Sequence, residues 1–409
     1  MKGRRIRSLL FSTLYPSAAR PLHGIFVETR LRELLKTGEV DAKVVAPVPW
    51  FPASDPRFGA WSRFAATPRQ EARHGVEVWH PRYALPPRIG MSLAPFALAL
   101  GARRVVSRLI RDGFDFDLID AHYYYPDGVA AALLAQWFNK PFVVTARGTD
   151  LNLLPHFAIP RRLIQWTAQR AAASVGVSGA LTEVLAGLNA PRERLVTLRN
   201  GVDLQRFRPL SKADCRATLG LPKEARIILT VGHLVELKGN HIVVDAVARL
   251  RAQRQDVYLA IVGDGEERSR LESRVTGLGL GASVRFVGAV ANADLAPWYS
   301  AADALVLASS REGWPNVLLE SMACGTPVIA SRIASTPEIV RDPVAGELFD
   351  RDPEALAAAI DLVLGRPAHP SAVRAYAEQF GWEATSLAQV NLFASVVGNS
   401  ARQLREAAS

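Results

Sequence analysis

Two carboxylates, Glu312 and Glu320, stand eight residues apart in the stretch SREGWPNVLLESMACGTPVIAS. Pro315 suits the first turn of a helix, where its missing N–H costs nothing. The pattern therefore predicts a strand over Ala304–Leu307, a loop from Ser309 to Gly313 and a helix from Asn316 to Ala323. Glu312 would lie in the loop and Glu320 about one turn inside the helix. A helix start offers N–H groups and the positive end of a dipole, which suits a phosphate. The dipole alone contributes about 0.3–1 kcal/mol, up to ~2 when partly buried, so other groups must help. Carboxylates on either side of a diphosphate can accept from hydroxyls. A nucleoside-diphosphate sugar has that layout, with sugar hydroxyls, a diphosphate and ribose hydroxyls. Solvated surface acids are the plain alternative. For Glu320, amid Leu318, Leu319, Met322 and Ala323, that fits less well, because an unpaired buried carboxylate is costly.

A second loop, GHLVELKG at 232–239, follows the apolar run Ile227–Val231. Gly232 lets the backbone approach a ligand, and Lys238 brings a point charge suited to phosphate. The loop lacks the Gly-Lys-Ser/Thr ending of a P-loop. A third loop, VGDGEERSRLE at 262–272, carries Gly263 and reads equally as a capped turn or a ligand contact. In the first half, YPSAARPLHG ends in Gly24 before an amphipathic helix. The run Leu118–Asp120 leads into Ala121-His122-Tyr123. A neutral His122 at a strand end is suited to accept a hydroxyl proton or to orient a sugar. TARGTD at 145–150 supplies Arg147, suited to a phosphate or an acidic acceptor, with Asp150 placed to pair it.

The elements that must position these groups are short β-prone runs between helical patterns. In the first half they are 6–13, 42–47, 76–79, 118–122, 142–145, 174–177 and 195–198. In the second they are 227–231, 259–262, 284–287, 304–307, 328–330 and 347–349. Several are apolar throughout, as expected when helices cover both faces of a parallel sheet. The alternation predicts two doubly wound α/β domains, over 1–200 and 201–379, joined through RNGVDLQRFRPL at 199–210. A chain of 409 residues exceeds one ordinary core. Ligands of such sheets bind at the carboxyl ends of strands, in a cleft when two domains face each other.

The net charge of +10 is unevenly placed. Residues 1–200 hold 27 Lys/Arg and 15 Asp/Glu, and the remainder 22 and 24. The basic half attracts anionic lipid, nucleic acid or phosphorylated substrates, or simply solubilises the chain. No apolar run reaches the roughly 18 residues that cross a bilayer. The start MKGRRIRSLLFSTLYPS is too short in its apolar part for a signal peptide and reads as a first strand. Cys215 and Cys324 give no disulfide framework or metal spacing, which fits a reducing cytoplasm.

SREGWPNVLLESMACGTPVIAS, together with VGHLVELKG, VGDGEERSRLE, FVGAV and RNGVDLQRF, resembles glycosyltransferase family 4. The resemblance implies the GT-B fold, with two Rossmann-like doubly wound domains facing across a cleft, and retention of anomeric configuration. It implies that Glu312 holds the donor sugar and Glu320 the ribose. The backbone of Gly313, Trp314, Pro315 and Asn316 would line the sugar, and the loop around Gly288 would flank the base. It also gives Gly24 to the acceptor loop, His122 to the active site, and 380–409 to a final helix that crosses back onto the first domain.

Three positions depart from the family pattern. His233 replaces the usual Arg, which leaves Lys238 to offset most of the leaving-group charge. Arg147 replaces a His, and Arg332 lies where relatives have a Gly-Gly pair. The stretches APFALALGARRVVSRLIRDG and IPRRLIQWTAQRAAA carry Arg103, Arg104, Arg108, Arg111, Arg161, Arg162 and Trp166, suited either to anionic headgroups or to a solvated basic face.

The resulting expectation is a retaining transfer from a nucleoside-diphosphate sugar to a hydroxyl of a lipid-linked or polysaccharide acceptor in envelope assembly. It would occur in the cytoplasm, with peripheral contact to anionic membrane. No nucleic-acid partner and no cofactor are expected. No metal is expected either, on the view that the chain lacks an Asp-x-Asp metal signature. A sugar-nucleotide epimerase on the same fold and a non-catalytic anionic-lipid scaffold are the alternatives.

Overall fold

Strands rich in Val, Ile, Leu and Ala, mostly buried on both faces, build two large, mainly parallel sheets, one in each of two units, and a small two-stranded sheet pairs Val48–Pro49 with Arg82–Tyr83. The computed structural model describes residues 4–85, 90–253 and 256–406. Unit 1 comprises residues 1–200 with 383–409, and unit 2 comprises 201–382.

Unit 1 runs β1 (Ile6–Phe11), α1 (Ile25–Lys36), β2 (Val40–Val45), β3 (Gln70–Arg73), β4 (Val76–Trp79), α2 (Gly90–Arg111), β5 (Leu118–His122), α3 (Val129–Phe138), β6 (Phe142–Ala146), α4 (Ala158–Arg170), β7 (Ala173–Gly176) and β8 (Leu195–Thr197). The eight strands of its main sheet lie in the order β8-β7-β6-β5-β1-β2-β4-β3. All pairings are parallel except β3 with β4. The first strand stops at Phe11, not at the expected Thr13. The Ser12 hydroxyl turns to the His122 carbonyl (3.0 Å), and the Thr13 hydroxyl donates to Asp127 (3.0 Å), so the chain leaves the ladder. The second strand spans 40–45 where 42–47 was expected. Pro47 has no N–H to give a ladder.

Unit 2 runs β9 (Arg226–Val231), α5 (Asn240–Gln253), β10 (Val257–Val262), β11 (Val284–Gly288), β12 (Ala304–Leu307), α6 (Asn316–Ala323), β13 (Val328–Ser331), β14 (Gly346–Phe349) and α7 (Pro353–Gly365). Its six strands are ordered β11-β10-β9-β12-β13-β14, all parallel. This is the doubly wound order, and it reverses between β9 and β12. α5 and α7 cover one face through Ile242, Val243, Val247, Leu356 and Ile360.

The last helix, α8 (Trp382–Glu406), begins at the end of unit 2 and packs in unit 1. Its Phe393 and Val396 join Leu118, Val143, Val175 and Leu198 in one apolar cluster. The two ends of unit 2 meet. The Val202 N–H donates to the Phe380 carbonyl (2.9 Å), and a Cβ on Gly201 would lie 2.7 Å from the Trp382 backbone.

Candidate active site

In unit 2 the reversal point brings together the loops that follow β9 and β12, and the chemistry-bearing residues gather there. Lys238 ends a short 3₁₀ turn, and its Nζ lies 2.6 Å from Glu312 Oε1. The same oxygen accepts from the Ser309 hydroxyl at 2.7 Å. The two side chains are 26% and 15% exposed, so the pair is open to a ligand from one side. Pro315 precedes α6 as its N-cap with extended backbone, and its side chain has no acceptor to cap the helix. Gly313, Trp314 and Pro315 are buried behind this start, with the Trp314 ring 6.4 Å from that of Phe380. Asn316 opens the helix half-buried.

Glu320 lies one turn inside α6 and is buried. Its Oε2 accepts from the Tyr299 hydroxyl at 2.7 Å and its Oε1 from Asn292 Nδ2 at 3.2 Å. Arg206 in turn donates to Asn292 Oδ1 at 3.0 Å. Burial raises the Glu320 carboxyl above its usual range, against the pull of these two hydrogen bonds. The cost that made a buried Glu320 look uncomfortable is thus met by partners 21 and 28 residues away. Each carboxylate oxygen retains a second lone pair for a further hydroxyl.

The glycines of neighbouring loops let backbones touch. A Cβ on Gly263, whose φ is +141°, would lie 1.8 Å from the Gly232 carbonyl oxygen. Gly232 N–H donates to Val262, and Gly263 N–H to Gly288 at 2.8 Å, so the loops after β9, β10 and β11 form one surface. His233 is exposed on it.

In unit 1 the strand order reverses between β1 and β5. Asp127, after β5, there holds the Thr13 N–H and hydroxyl of the loop after β1. Burial pushes Asp127 up to about 7. Gly24 closes that loop at φ +61°, and a Cβ there would meet the Leu14 carbonyl oxygen at 1.6 Å. No other residue fits.

His122 ends β5, buried. Arg147 donates to its Nδ1, which must then be the acceptor, so the proton sits on Nε2 and points at Asp120 Oδ2, 3.2 Å away. Burial, opposed by Asp120, lowers the imidazole to about 4, in keeping with a neutral ring. Asp120 also accepts from Gln389 (3.3 Å), and Gln389 accepts from Arg30 Nε (2.8 Å). Arg30 and Arg147 share Asn200 Oδ1 at 3.3 and 3.0 Å.

One sequence expectation changes here. Arg147 does not pair with the Asp150 side chain. That carboxylate instead collects the backbone N–H groups of Tyr124, Arg147 and Gly148, which a buried acid at the start of a short helix does readily. The Arg147 guanidinium is buried and donates to His122 and Asn200. His122 has both ring nitrogens engaged by protein groups in this arrangement, Nδ1 by Arg147 and Nε2 by Asp120.

Residues 60–206 match the family described as Glycosyltransferase Family 4, and residues 211–380 match Glycosyl transferases group 1. The putative teichuronic acid biosynthesis glycosyltransferase TuaC of Bacillus subtilis is 30% identical over 339 residues, covering 82% of this chain and 83% of its own. The chain is a family 4 glycosyltransferase. A D-inositol 3-phosphate glycosyltransferase of Catenulispora acidiphila is 32% identical to it, over 78% of this chain and 81% of that one. Its fold is that of GT-B enzymes. Sucrose-phosphate synthase from Thermosynechococcus elongatus matches with a TM-score of 0.76 at 24% identity, covering 99% of this chain and 100% of the other. Anabaena HepE in complex with UDP matches with 0.72 at 22%, covering 96% and 100%.

Several residues of this glycosyltransferase site escaped the sequence reading. Asn292, Tyr299 and Arg206 carried no local signal. Asp120 did: it lies two residues before His122 and so on the same face of β5. The expectation that no Asp-x-Asp spelling occurs was mistaken, since Asp115-Phe116-Asp117 and Asp350-Arg351-Asp352 both have it. In the glycosyltransferase Asp115 pairs Lys140 (2.6 Å), Asp117 takes the Arg7 N–H (2.8 Å), and Asp352 caps α7. Arg332 is a largely exposed side chain 3.7 Å from Asp350.

Proposed function

We propose that this glycosyltransferase moves a sugar from a nucleoside-diphosphate donor to a hydroxyl of an envelope or exported polysaccharide or glycolipid, with retention of configuration and without a metal. The observation that carries the donor reading is the Lys238–Glu312 pair at the reversal point of the unit 2 sheet, beside the start of α6 and with Glu320 one turn inside it. Lys238 and the helix dipole would offset charge growing on the leaving diphosphate. Glu312 would accept from the donor sugar and Glu320 from the ribose. His122, held neutral, would orient the sugar only once one of its nitrogens is released by Arg147 or Asp120. Retention would proceed on one face of the sugar, with the leaving phosphate helping to deprotonate the acceptor. UDP in a structural neighbour supports a nucleotide-sugar donor, and the teichuronic acid name of a relative supports an envelope product.

The test is calorimetry of nucleoside diphosphates and their sugars, with and without a chelator. One base should bind saturably in both conditions, and Glu320→Ala should weaken it roughly tenfold or more, the effect of losing one charged hydrogen bond. Binding of no nucleotide would remove the donor reading. Dependence on metal would remove its metal-free form.

We also propose that unit 1 rests on anionic membrane. No helix among the described residues is long and apolar enough to cross a bilayer. α2 exposes Leu93, Phe96 and Leu100, the last at 62%, beside exposed Arg103 and Arg104. Phe157 and Ile159 are exposed just ahead of Arg161 and Arg162. Apolar residues flanked by basic ones suit a headgroup region. Flotation with phosphatidylglycerol vesicles but not phosphatidylcholine vesicles is the expected result, and equal flotation with both would refute it.

A further inference from the structure

The turn Ser17–Arg20 lies in the loop after β1, at the carboxyl end of the unit 1 sheet, closed by two backbone hydrogen bonds between Ser17 and Arg20. Two polar atoms of this turn, Ser17 Oγ and Arg20 Nε, are buried and make no hydrogen bond among the described residues. Arg20 has no ion pair among them either. The nearby carboxylate, Glu71, is engaged by the Ala18 N–H at 3.1 Å and by His80 Nε2 at 2.7 Å. The charges that act on Arg20 are the Tyr83 phenol and another cation, Arg63, and burial lowers the guanidinium below its ordinary value. A half-buried guanidinium with unsatisfied donors and a cationic neighbour is costly to hold without an anion.

The surroundings indicate what kind of molecule carries that anion. Arg20 rests on the Phe64 ring, 4.6 Å from its centroid. From Phe64 a row of rings leads outward: Trp61 at 5.7 Å, then Phe51 at 5.5 Å, then Phe58 at 5.3 Å. Trp61 is 39% exposed and Phe58 46%. Flat aromatic faces of this kind stack on the C–H faces of pyranose rings. A planar fork of donors is the group best suited to phosphate or carboxylate.

We propose that the turn Ser17–Arg20 recognises an anionic group, a phosphate or a carboxylate, on the glycan acceptor, while the Phe64–Trp61 row supports its sugar ring. The assignment rests on the transferase reading for its acceptor, and it moves acceptor charge recognition from Arg147, which is engaged with His122 and Asn200, to Arg20.

Calorimetry on the full chain at low salt, with glucose, glucose 6-phosphate and glucuronate as probes, tests it. The charged sugars should bind roughly tenfold more tightly than glucose, the effect of one charge-assisted pair. Arg20→Gln should erase the difference, and Arg20→Lys should keep part of it. Arg192→Gln, at an exposed arginine of the same unit, should change nothing. Preference for glucose 6-phosphate would identify the group as phosphate, and preference for glucuronate as carboxylate. Equal or absent binding of all three by the wild type overturns the proposal, as does an equal loss in Arg192→Gln. A thermal melt and nucleoside-diphosphate binding are measured alongside. An unchanged unit 1 transition in Arg20→Gln shows that the variant is folded, and absence of nucleotide binding in the wild type defeats the donor reading without touching the charge preference.

Discussion

Lys238→Ala lowers turnover by about 10²–10³-fold while the protein keeps nearly all its stability. The kinetic magnitude is that of removing one group aimed at charge that develops in the transition state. The small change in stability follows from the pair itself. Lys238 and Glu312 are both partly exposed, so their 2.6 Å contact is worth only ~0–1 kcal/mol. Nucleoside-diphosphate affinity falls less than kcat, because the ground-state diphosphate already carries its charge and only the increment on bond breaking is lost. Glu312→Gln, which leaves the Ser309 hydroxyl an acceptor and Lys238 its charge, has a milder effect on the diphosphate and a larger one on the sugar. Steady-state kinetics with a thermal melt of each variant decides the matter. Turnover of Lys238→Ala within threefold of wild type would assign the leaving-group charge elsewhere, and His233 on the same surface is the next candidate.

Arg30→Met destabilises unit 1 by about 3–5 kcal/mol, the range for removing one partner of a buried charged network. Arg30 is 2% exposed, and burial lowers its guanidinium to about 10, so it remains a cation at neutral pH. It donates to Gln389 on α8 and to the Leu198 carbonyl (2.9 Å) and Asn200. Its loss takes their donor from Gln389 Oε1 and the Leu198 carbonyl, while Asn200 Oδ1 keeps Arg147, and leaves Asp120 without one of its two buried cations. Calorimetric melting, read as the transition that moves while nucleotide binding to unit 2 is retained, gives the measurement. Arg30→Met with Gln389→Leu recovers part of the loss, because removing both partners of a hydrogen bond costs less than removing one. A shift under about 1 kcal/mol would show that the surroundings of Arg30 relax freely.

Legibility from sequence followed burial and locality. β6 reads FVVTA and β12 ALVL, continuous apolar runs that a strand covered on both faces requires, and both were found. β3 reads QEAR on the sheet edge, polar and half-solvated, and was not. The start of α6 was visible because Pro315 marks it locally, and the family resemblance supplied Glu312 and Glu320. The partners of Glu320 come from Asn292 and Tyr299, which only the fold brings near. Arg30 was invisible for a different reason. On an amphipathic helix a lone Arg reads as a solvated face, and its burial is decided by Gln389, 359 residues later. Asp127, inside YYYPDG, has the composition of a turn, and the turn conceals a carboxylate that ties two loops together.

The meeting of Val202 with Phe380 and of Gly201 with Trp382 makes unit 2 an insertion whose entry and exit lie side by side. During synthesis, unit 1 waits for its last helix until all of residues 201–382 have emerged, whereas unit 2 already has all its strands. Arg30 therefore spends that interval without Gln389. Adjacent ends also suit cut-and-rejoin engineering. Residues 201–382 are a natural cassette for transplantation between relatives, and their excision needs only a short bridge from Asn200 to Glu383 to leave the remainder of the chain continuous.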